Sequence, residues 1–328
     1  MEDKALLEIK NLKTYFKVGK SVVKAVNGVS FNLNKGETTA IVGESGSGKS
    51  ITSLSIMQLL PTNVIDEDHG IINFDGKNLL SLSKKEMRKI RGNKISMIFQ
   101  EPMTSLNPVY NLSYQISEAI ILHQHKNKTQ ARKLAIEMLD LVGIPEPNKR
   151  IDSFPHELSG GMRQRAMIAM ALCCNPEILI ADEPTTALDV TIQAQILELM
   201  KSLQKKLNMS ILFITHDLGV VSEVADRVMV MYLGHIVEMA DADELFSNPK
   251  HPYTKALLQV APTISIGPKK RKDILKGEIP SPINPPSGCV FRTRCPNPTH
   301  DCKEGNIEMG LIEVSPGHWV DQCCVNCG

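Results

Sequence analysis

One segment of the chain has the residue types and spacing of a phosphate-binding loop. Residues 43–50 read GESGSGKS, between an apolar run at 39–42 and a helix-like stretch at 51–60. The glycines let consecutive backbone N–H groups turn towards an anion, and the helix N-terminus adds positive potential. Lys49 would reach the β- and γ-phosphates, and the Ser50 hydroxyl would bind Mg²⁺. The alternative is a plain Gly/Ser-rich turn. We predict a nucleoside triphosphate site formed by Gly43, Ser45, Gly46, Ser47, Gly48, Lys49, Ser50 and Ile51.

Two adjacent carboxylates end a later apolar run. Residues 179–181 are followed directly by Asp182 and Glu183. Asp182 is suited to hold Mg²⁺ through its water shell, and Glu183 to polarise an attacking water. Two acids at a strand end could simply begin a solvated loop, but here a phosphate-binding loop precedes them.

A second anion site is predicted near residue 160. Residues 158–164 read LSGGMRQ and precede the helical run 165–173, so Ser159 is placed to cap a helix whose first amides are exposed. One nucleotide needs only one phosphate loop. Ser159, Gly160 and Gly161 are therefore expected to serve a nucleotide held by another subunit.

The elements that position these residues read as an α/β domain. Alternating patterns predict strands at 7–10 and 29–33, and a strand pair at 70–74 and 95–99 that brackets a turn at 75–77. Buried strands at 178–181 and 211–215 flank a helix at 190–207, and a hairpin spans 228–239. Strands alternating with helices favour a parallel α/β core.

Two stretches depart from this alternation. Residues from about 102 to 175 have helical periodicity and read as a helical insertion, within a nucleotide-binding domain that spans about residues 1–260. Residues 261–328 begin with a Pro-rich linker and end in a small Cys-rich module. Such clustering of cysteines indicates metal more often than disulfides in a protein of the cytosol.

Composition excludes some partners. Lys plus Arg number 37 against 36 Asp plus Glu, which gives no global electrostatic case for nucleic acid. No apolar run approaches the roughly 18–20 residues that cross a bilayer, and the N-terminus opens no signal peptide. We expect a protein of the cytosol whose membrane association comes through partners.

Taken with these motifs, four further positions resemble those of ATP-binding cassette (ABC) ATPases. Gln100 matches the glutamine of the Q-loop, which contacts Mg²⁺ and the attacking water, and Asp189 lies in a match to the D-loop. His216 matches the switch histidine that contacts the γ-phosphate. Phe16 falls where the family places an aromatic ring against adenine, with Tyr15 as the fallback and a core aromatic as the alternative. The implied fold is a mixed-sheet cassette with a helical subdomain.

The resemblance also implies a mechanism. Two cassettes, either two copies of this chain or this chain and a paralogue, would sandwich two ATP molecules. Lys49, Ser50 and Asp182 of one subunit and the residues around Ser159 of the other would bind each ATP. Glu183 would orient the water, while Lys49, Mg²⁺ and His216 absorb developing charge.

The subgroup resembled is that of the oligopeptide, dipeptide and nickel importers. Residues 100–108 (QEPMTSLNP), residues 251–258 (HPYTKALL) and the cysteine pattern of the tail carry this resemblance. It implies two membrane permeases and an extracellular or periplasmic substrate-binding protein as partners, and a peripheral location at the cytoplasmic membrane face. The cargo stays open, since selectivity resides in the partners.

Some members of this subgroup carry a [4Fe-4S] cluster on tail cysteines. The implied ligands here are Cys289, Cys295, Cys302 and Cys323, and Cys324 and Cys327 are rivals for the fourth place because the usual position holds Gln322. Thiolate ligation also suits Zn²⁺, and free or disulfide-bonded thiols are the third possibility. His300 and His318 could substitute as ligands.

Two other function classes compete with the importer. A non-transport ABC ATPase acting on DNA or ribosomes usually has two cassettes in one chain or a long coiled-coil insertion, and this sequence has neither. A metal-sensing or redox module with incidental nucleotide binding would not need the hydrolytic residues Gln100, Glu183 and His216.

Overall fold

The computed structural model describes residues 5–65, 69–100, 105–186, 188–260 and 277–324. The chain divides into two compact units: a first unit of Met1–Ser81 with Ile214–Gly328, and a second unit of Leu82–Phe213. Among the residues described, no helix is both long enough and apolar enough to cross a membrane.

The regular elements follow the chain in an α/β order. The strands are β1 (Leu7–Val18), β2 (Ser21–Leu33), β3 (Thr38–Val42), β4 (Ile71–Phe74), β5 (Lys77–Asn78), β6 (Ile95–Ile98), β7 (Ile178–Asp182), β8 (Ser210–Thr215), β9 (Arg227–Tyr232), β10 (His235–Asp241), β11 (Leu311–Ser315) and β12 (His318–Asp321). The helices are α1 (Lys49–Ile56), α2 (Lys84–Ile90), α3 (Leu112–Gln124), α4 (Lys128–Leu141), α5 (Pro147–Arg150), α6 (Gly160–Leu172), α7 (Val190–Leu207), α8 (Leu218–Val224), α9 (Ala242–Ser247), α10 (Pro252–Val260) and α11 (His300–Glu304).

An antiparallel sheet of order β2-β1-β4-β5 lies in the first unit. β1 and β2 form a long hairpin in which Leu7 pairs with Leu33 and Val18 with Ser21. The predicted pairing of strands 70–74 and 95–99 is wrong, because β4 pairs with β1 and β5 whereas β6 pairs with β7. The turn after β4 leads into the short strand β5, which takes the place of the expected partner.

A second set of strands in the first unit has the order β11-β12-β10-β9-β3. β3 and β9 are parallel, whereas β9, β10, β12 and β11 are joined antiparallel, so the sheet is mixed. The predicted hairpin at 228–239 is confirmed as β9 and β10. β12 joins the C-terminal residues to this sheet by pairing Glu238 with Val320 and Met239 with Trp319.

The second unit combines parallel strands with most of the helices. β6 and β7 are parallel, and β8 lies next to β7 in the strand order. The last two residues of β8, Ile214 and Thr215, are assigned to the first unit. α7 buries Ile196, Leu197, Met200 and Leu203, whose spacing places them on one face. Asn111 and Asn127 cap α3 and α4 through side-chain bonds to backbone N–H groups. Helical structure from α3 to α6 is what the periodicity predicted for this stretch.

Candidate functional site

The phosphate loop connects a buried strand to a helix in the first unit. Every residue of β3 is buried, and α1 begins at Lys49, directly after the last glycine of the loop. Ser47 donates its backbone N–H to the carbonyl of Glu44, and Gly234 donates to the carbonyl of Ser47, which closes the turn. The predicted strand–loop–helix order is therefore present.

Two glycines of the loop cannot be replaced without displacing backbone. Gly48 has φ 107°, and a Cβ there would lie 2.4 Å from the carbonyl oxygen of Ala25. Gly43 would place a Cβ 2.2 Å from the carbonyl oxygen of Met231. These approaches explain why the loop can follow its path only with glycine at both positions.

Lys49 and Ser47 direct polar atoms into the loop. The Lys49 ammonium donates to the carbonyl oxygens of Gly43 at 2.8 Å and Glu44 at 3.0 Å, and the residue is buried. The buried Ser47 Oγ has no hydrogen-bond partner among the described residues. A buried cation beside an unsatisfied hydroxyl, in a turn that a Cβ would obstruct, fits the oxygens of a phosphate group.

The other residues predicted to contact the nucleotide near this loop lie in α1 and β1. Ser50 and Ile51 are half-buried in the first turn of α1, whose N-terminal end carries no acidic residue. Phe16 is 8% exposed in β1, opposite Val23, so little of its ring is accessible. Tyr15 is half-buried and its hydroxyl donates to the Asn27 side chain. The assignment of either aromatic residue to adenine stays a prediction.

His216 follows β8 and is exposed. The next residue, Asp217, receives a hydrogen bond at its carboxylate from the backbone N–H of Gly219 at 2.9 Å and so caps α8. Asp217 also donates its backbone N–H to the Thr215 hydroxyl at 3.0 Å. This turn fixes the backbone on both sides of His216 and leaves its ring accessible.

The second unit brings two predicted catalytic residues into direct contact. The Gln100 side-chain amide donates to a carboxylate oxygen of Glu183 at 2.9 Å, and the Thr186 hydroxyl donates to the same oxygen at 3.0 Å. Glu183 has φ 48°, a left-handed conformation that is uncommon outside glycine. Asp182 is buried at the end of β7. Glu183 is thus held at a fixed position just beyond the sheet.

Sequence reasoning missed two residues that support this carboxylate. Thr186 lies three positions after Glu183, a spacing that a turn makes compatible with a side-chain contact. Gln164 is buried and donates to the backbone carbonyl of Pro184, which orders the turn that follows Glu183. Gln164 could have been found from its position, because it lies inside the predicted anion-binding segment 158–164, in which only Ser159, Gly160 and Gly161 have assigned roles.

The predicted second anion site has the expected cap. The Ser159 hydroxyl accepts a hydrogen bond from the Met162 backbone N–H, and Gly160 begins α6. Ser159 and Gly160 are exposed, and a Cβ on Gly161 would lie 3.1 Å from Ile192. The open helix N-terminus is suited to accept an anion from outside the chain.

Asp189 serves as the N-cap of α7, accepting a hydrogen bond from the Ile192 backbone N–H at 2.9 Å. Its carboxylate is exposed. Ala187, the Q-loop extension at 101–104, the linker at 261–276 and Cys327 lie outside the described residues, so the predictions made for them have no structural counterpart here.

Cysteines of the C-terminal segment form a thiol site in the first unit. The Cys323 Sγ lies 3.2 Å from the Sγ of Cys289 and 3.4 Å from that of Cys324. Cys302 is buried, and its Sγ accepts a hydrogen bond from the Thr299 hydroxyl at 3.1 Å. Burial raises the pKa of Cys295, and nearby Cys289 and Cys302 add to this effect. None of the four predicted ligands forms a disulfide with another described residue, and Cys289 and Cys323 are in direct contact.

His251 is a neighbour of the thiol site that sequence reasoning did not assign. One ring nitrogen of His251, the Sγ of Cys323 and the Sγ of Cys324 all lie within 4.8 Å of one another. His251 Nδ1 accepts a hydrogen bond from the Tyr253 backbone N–H at 3.1 Å, while Nε2 has no hydrogen-bond partner in the part of the chain that the structure describes. Burial lowers the pKa of His251 to about 3, so the ring is neutral. A neutral ring whose Nδ1 accepts must carry its proton on Nε2.

The two histidines considered as substitute ligands lie elsewhere. His318 is buried, with Nε2 2.8 Å from a Glu238 carboxylate oxygen and Nδ1 3.2 Å from one of Glu244. His300 is exposed at the start of α11. Neither belongs to the group that contains Cys323, and His318 instead binds β12 to β10 and α9.

Two family models match the chain. A family model described as ABC transporter matches residues 26–186. A second, described as the C-terminal region of oligopeptide/dipeptide transporters, matches residues 237–302. The first match includes the phosphate loop, the Ser159 segment and the Glu183 turn. The second includes His251 and the first three cysteines of the thiol site.

Curated relatives resemble the chain along nearly its full length. The oligopeptide transport ATP-binding protein OppD of Bacillus subtilis is 57% identical over 96% of this chain and 87% of its own length. AppD of the same organism, also an oligopeptide transport ATP-binding protein, is 56% identical over 90% of each chain. The dipeptide transport ATP-binding protein DppD of B. subtilis is 52% identical over 98% of this chain and 94% of its own.

Solved structures share the fold. The dimeric structure of MJ0796, described as a bacterial ABC transporter cassette, matches with a TM-score of 0.64 at 29% identity over 72% of this chain and 98% of that chain. CbiO1 of Clostridium perfringens, part of the ABC transporter complex cbiONQ, matches with a TM-score of 0.63 at 28% identity over 74% and 91%. The predicted cassette with its mixed sheet and helices is confirmed. The chain belongs to the ABC transporter ATP-binding proteins, in the family of the oligopeptide and dipeptide transporters.

Proposed function

We propose that this chain is the ATP-hydrolysing subunit of an importer for dipeptides or oligopeptides. The observation that carries the proposal is the fixed carboxylate of Glu183, which receives hydrogen bonds from Gln100 and Thr186 just beyond a buried strand. In a family of ATPases, an oriented carboxylate of this kind is suited to position and polarise water. The names of the relatives supply the cargo class, since each is a peptide transport protein.

Phosphoryl transfer to water depends mainly on positioning and on stabilising charge. In the proposed reaction, the phosphate loop binds the triphosphate through its backbone N–H groups and the Lys49 ammonium. Glu183 orients the attacking water, Gln100 holds Glu183, and His216 contacts the γ-phosphate. Asp189 orders the start of α7, near which the second subunit is expected to bind.

Mg²⁺ is the metal expected with ATP. Ser50 and Asp182 supply oxygen ligands of the hard type that Mg²⁺ prefers, Asp182 through water, and Gln100 supplies an amide oxygen. The ion would neutralise charge on the β- and γ-phosphates.

The proposed working unit contains two ATPase subunits and two membrane permeases at the cytoplasmic face of the membrane. Ser159, Gly160 and Gly161 present an exposed helix N-terminus that would bind the γ-phosphate of ATP held by the second ATPase subunit. One of the matching cassettes is described as a dimer and another as part of a transporter complex. A substrate-binding protein outside the membrane would deliver the peptide to the permeases.

An uptake experiment tests the proposal. Cells lacking this chain, and complemented with either the wild type or Lys49→Ala, would be supplied with a labelled dipeptide, a labelled pentapeptide or nickel-63. Wild-type complementation should restore peptide uptake, and Lys49→Ala should not. Restoration of nickel uptake alone would replace the proposed cargo, and co-purification with ribosomes or DNA instead of permeases would refute the importer.

We also propose that the thiol site holds a metal group on Cys289, Cys295, Cys302 and Cys323. Four thiolates supply the ligand number of a [4Fe-4S] cluster and also of a structural zinc. The contact between Cys289 and Cys323 raises the pKa of Cys289, and burial raises it further, so several thiolates together need a compensating cation. Cys324, 3.4 Å from Cys323, is the rival fourth ligand.

Metal analysis of anaerobically purified protein tests this assignment. About four irons per chain with a brown visible absorbance would support the cluster, and one zinc without colour would support the alternative. Protein with neither metal, with its thiols titrating as free, would refute a resident metal group.

A further inference from the structure

Glu44 of the phosphate loop is bound by an arginine from the C-terminal segment. The Arg294 guanidinium donates two hydrogen bonds to the Glu44 carboxylate, from Nη1 at 2.6 Å and from Nη2 at 3.1 Å. The Arg294 side chain is 5% exposed, and that of Glu44 is 31% exposed. A bidentate pair with one partner buried is stronger and more directional than an exposed ion pair.

The arginine is itself held firmly. The Arg294 backbone N–H donates to the Phe291 carbonyl at 2.9 Å, and the guanidinium carbon lies 5.8 Å from the centre of the Tyr232 ring. Tyr232 and Phe291 meet edge to face at 5.3 Å. An arginine guanidinium is charged at any physiological pH. Arg294 is therefore a fixed positive charge beside the phosphate loop.

A second contact fixes the backbone of the same residue. The Glu44 backbone N–H donates to the Tyr253 hydroxyl at 2.9 Å, and Tyr253 is fully buried. The Tyr253 ring lies 4.8 Å from Tyr232 and 5.5 Å from Phe291. Glu44 is thus held at its side chain and at its backbone by two residues far along the chain. The carbonyl of Glu44 also accepts a hydrogen bond from Lys49, so these contacts fix the same residue that binds the lysine.

The charge of Glu44 makes the arginine necessary. A carboxylate in a phosphate-binding loop repels a triphosphate, which itself carries several negative charges. Arg294 cancels that charge and fixes the direction of the carboxylate. Without Arg294, the loop would retain an uncompensated negative charge, and Glu44 would be free to change rotamer.

We propose that Arg294 and Tyr253 are positioning residues for the nucleotide site, and that Arg294 acts by neutralising Glu44. Together the three residues form a clamp between the C-terminal segment and the phosphate loop. The inference rests on the proposed function, since it concerns the binding of nucleotide to this loop. It adds that affinity for nucleotide depends on a residue that lies between two proposed metal ligands, Cys289 and Cys295.

Fluorescent titration of the full-length chain with Mg²⁺ and the nucleotide analogue mant-ADP tests the clamp. Arg294→Gln should raise Kd about tenfold, because the Glu44 carboxylate is left unpaired. Glu44→Gln alone should bind within about twofold of the wild type, and the double variant Glu44→Gln/Arg294→Gln should recover to within about threefold. Arg132→Gln is the matched control, since Arg132 forms a bidentate pair with Asp152 in the second unit at 2.7 Å for each bond.

Further measurements separate positioning from loss of structure. The Arg294→Gln effect should shrink at high salt, and kcat at saturating ATP should change less than KM. Tyr253→Phe should raise Kd by a smaller factor that Glu44→Gln does not rescue, because its contact is to the backbone. Thermal unfolding and thiol titration identify any variant that has lost its fold.

The outcomes distinguish this inference from the function on which it rests. Wild-type protein that fails to bind mant-ADP would contradict the proposed function. Wild-type binding with an unchanged Kd in folded Arg294→Gln would overturn the clamp alone. A double variant that binds as weakly as Arg294→Gln would overturn the charge argument, because neutralising Glu44 would then have restored nothing.

Discussion

The phosphate loop and the thiol site are both candidate binding sites, but they are assembled differently. The phosphate loop is one unbroken segment, residues 43–50, whose course is set by its own glycines and by α1. The thiol site combines Cys323 and Cys324 with Cys289, which lies 34 positions before Cys323, and with His251 from a distant segment. A site contained in one segment can be recognised from spacing alone. A site gathered by the tertiary fold leaves its membership open until the fold is known.

Removing the central cation of the loop should have the largest effect. Lys49→Ala is expected to weaken binding of mant-ATP at least about 100-fold, because the buried ammonium is the charge nearest the phosphates. Equilibrium titration measures it. Lys94→Ala is the control, since Lys94 makes only an exposed ion pair with Glu177. Binding that survives in Lys49→Ala would mean that the loop is not the nucleotide site.

The thiol site should retain its metal when Cys324 is replaced but lose it when Cys323 is replaced. Cys323→Ser is expected to weaken metal retention about 10–100-fold, because Cys323 lies in contact with Cys289 at the centre of the site. Cys324→Ser should retain the metal. Iron and zinc content per chain after desalting measures both. The reverse result would make Cys324 the fourth ligand.

A matched control for these variants is available outside the site. Cys174 is buried in the second unit, where its Sγ lies 3.9 Å from that of Cys173. Cys174→Ser should leave metal content unchanged. A loss of metal in this variant as well would indicate that cysteine substitution destabilises the chain in general.

Two glycines of the loop should differ in their tolerance of a methyl group. Gly48→Ala is expected to raise the nucleotide Kd about tenfold, because the new Cβ would meet the Ala25 carbonyl oxygen at 2.4 Å. Gly46→Ala should have a smaller effect, since no atom lies within 4 Å of that position, although its φ of 78° still imposes strain. Titration and thermal unfolding together separate a distorted loop from an unfolded chain. Equal effects of the two substitutions would contradict the packing argument.

The smallest expected effect is that of the thiol site on the affinity of the phosphate loop for nucleotide. Stripping metal from the thiol site should raise the nucleotide Kd about threefold in the wild type, because Arg294 lies within the turn that the proposed ligands fix. The double variant Glu44→Gln/Arg294→Gln should show no such change, because the charge link is absent. Titration with mant-ADP before and after chelation measures it. An equal rise in Kd in both proteins would show that the thiol site affects nucleotide binding through contacts other than the Glu44–Arg294 pair, or that metal removal unfolds the C-terminal segment.

Features contained in one segment of the chain could be predicted from sequence, whereas features that join distant segments could not. The cap made by Ser159, the hairpin of β9 and β10, and the order from β3 to α1 depend on local backbone geometry, and all three were predicted. The partner of β4 was predicted wrongly, because sheet pairing is decided between segments and not within them. A strand pattern alone does not identify the neighbouring strand.

Contacts between distant residues could not be predicted. Glu44 and Arg294 are 250 positions apart, and nothing in the pattern around either residue indicates the other. His251 likewise lacks any spacing relative to Cys323 that would mark it as a neighbour. The clustering of the cysteines favoured a metal site, and the family resemblance implied its ligands but left the fourth open among Cys323, Cys324 and Cys327. Cys323 and Cys324 are adjacent, and their Sγ atoms lie 3.4 Å apart.

The central claim is that Glu183 positions the water that hydrolyses ATP bound by the phosphate loop. Its most direct test is the turnover of ATP by the complex carrying Glu183→Gln in this chain, with ATP binding measured on the same preparation and Glu177→Gln as control. We expect turnover per site to fall at least about 100-fold while the Kd for ATP stays within about threefold. Near-normal turnover in Glu183→Gln, with binding intact, would contradict the assignment.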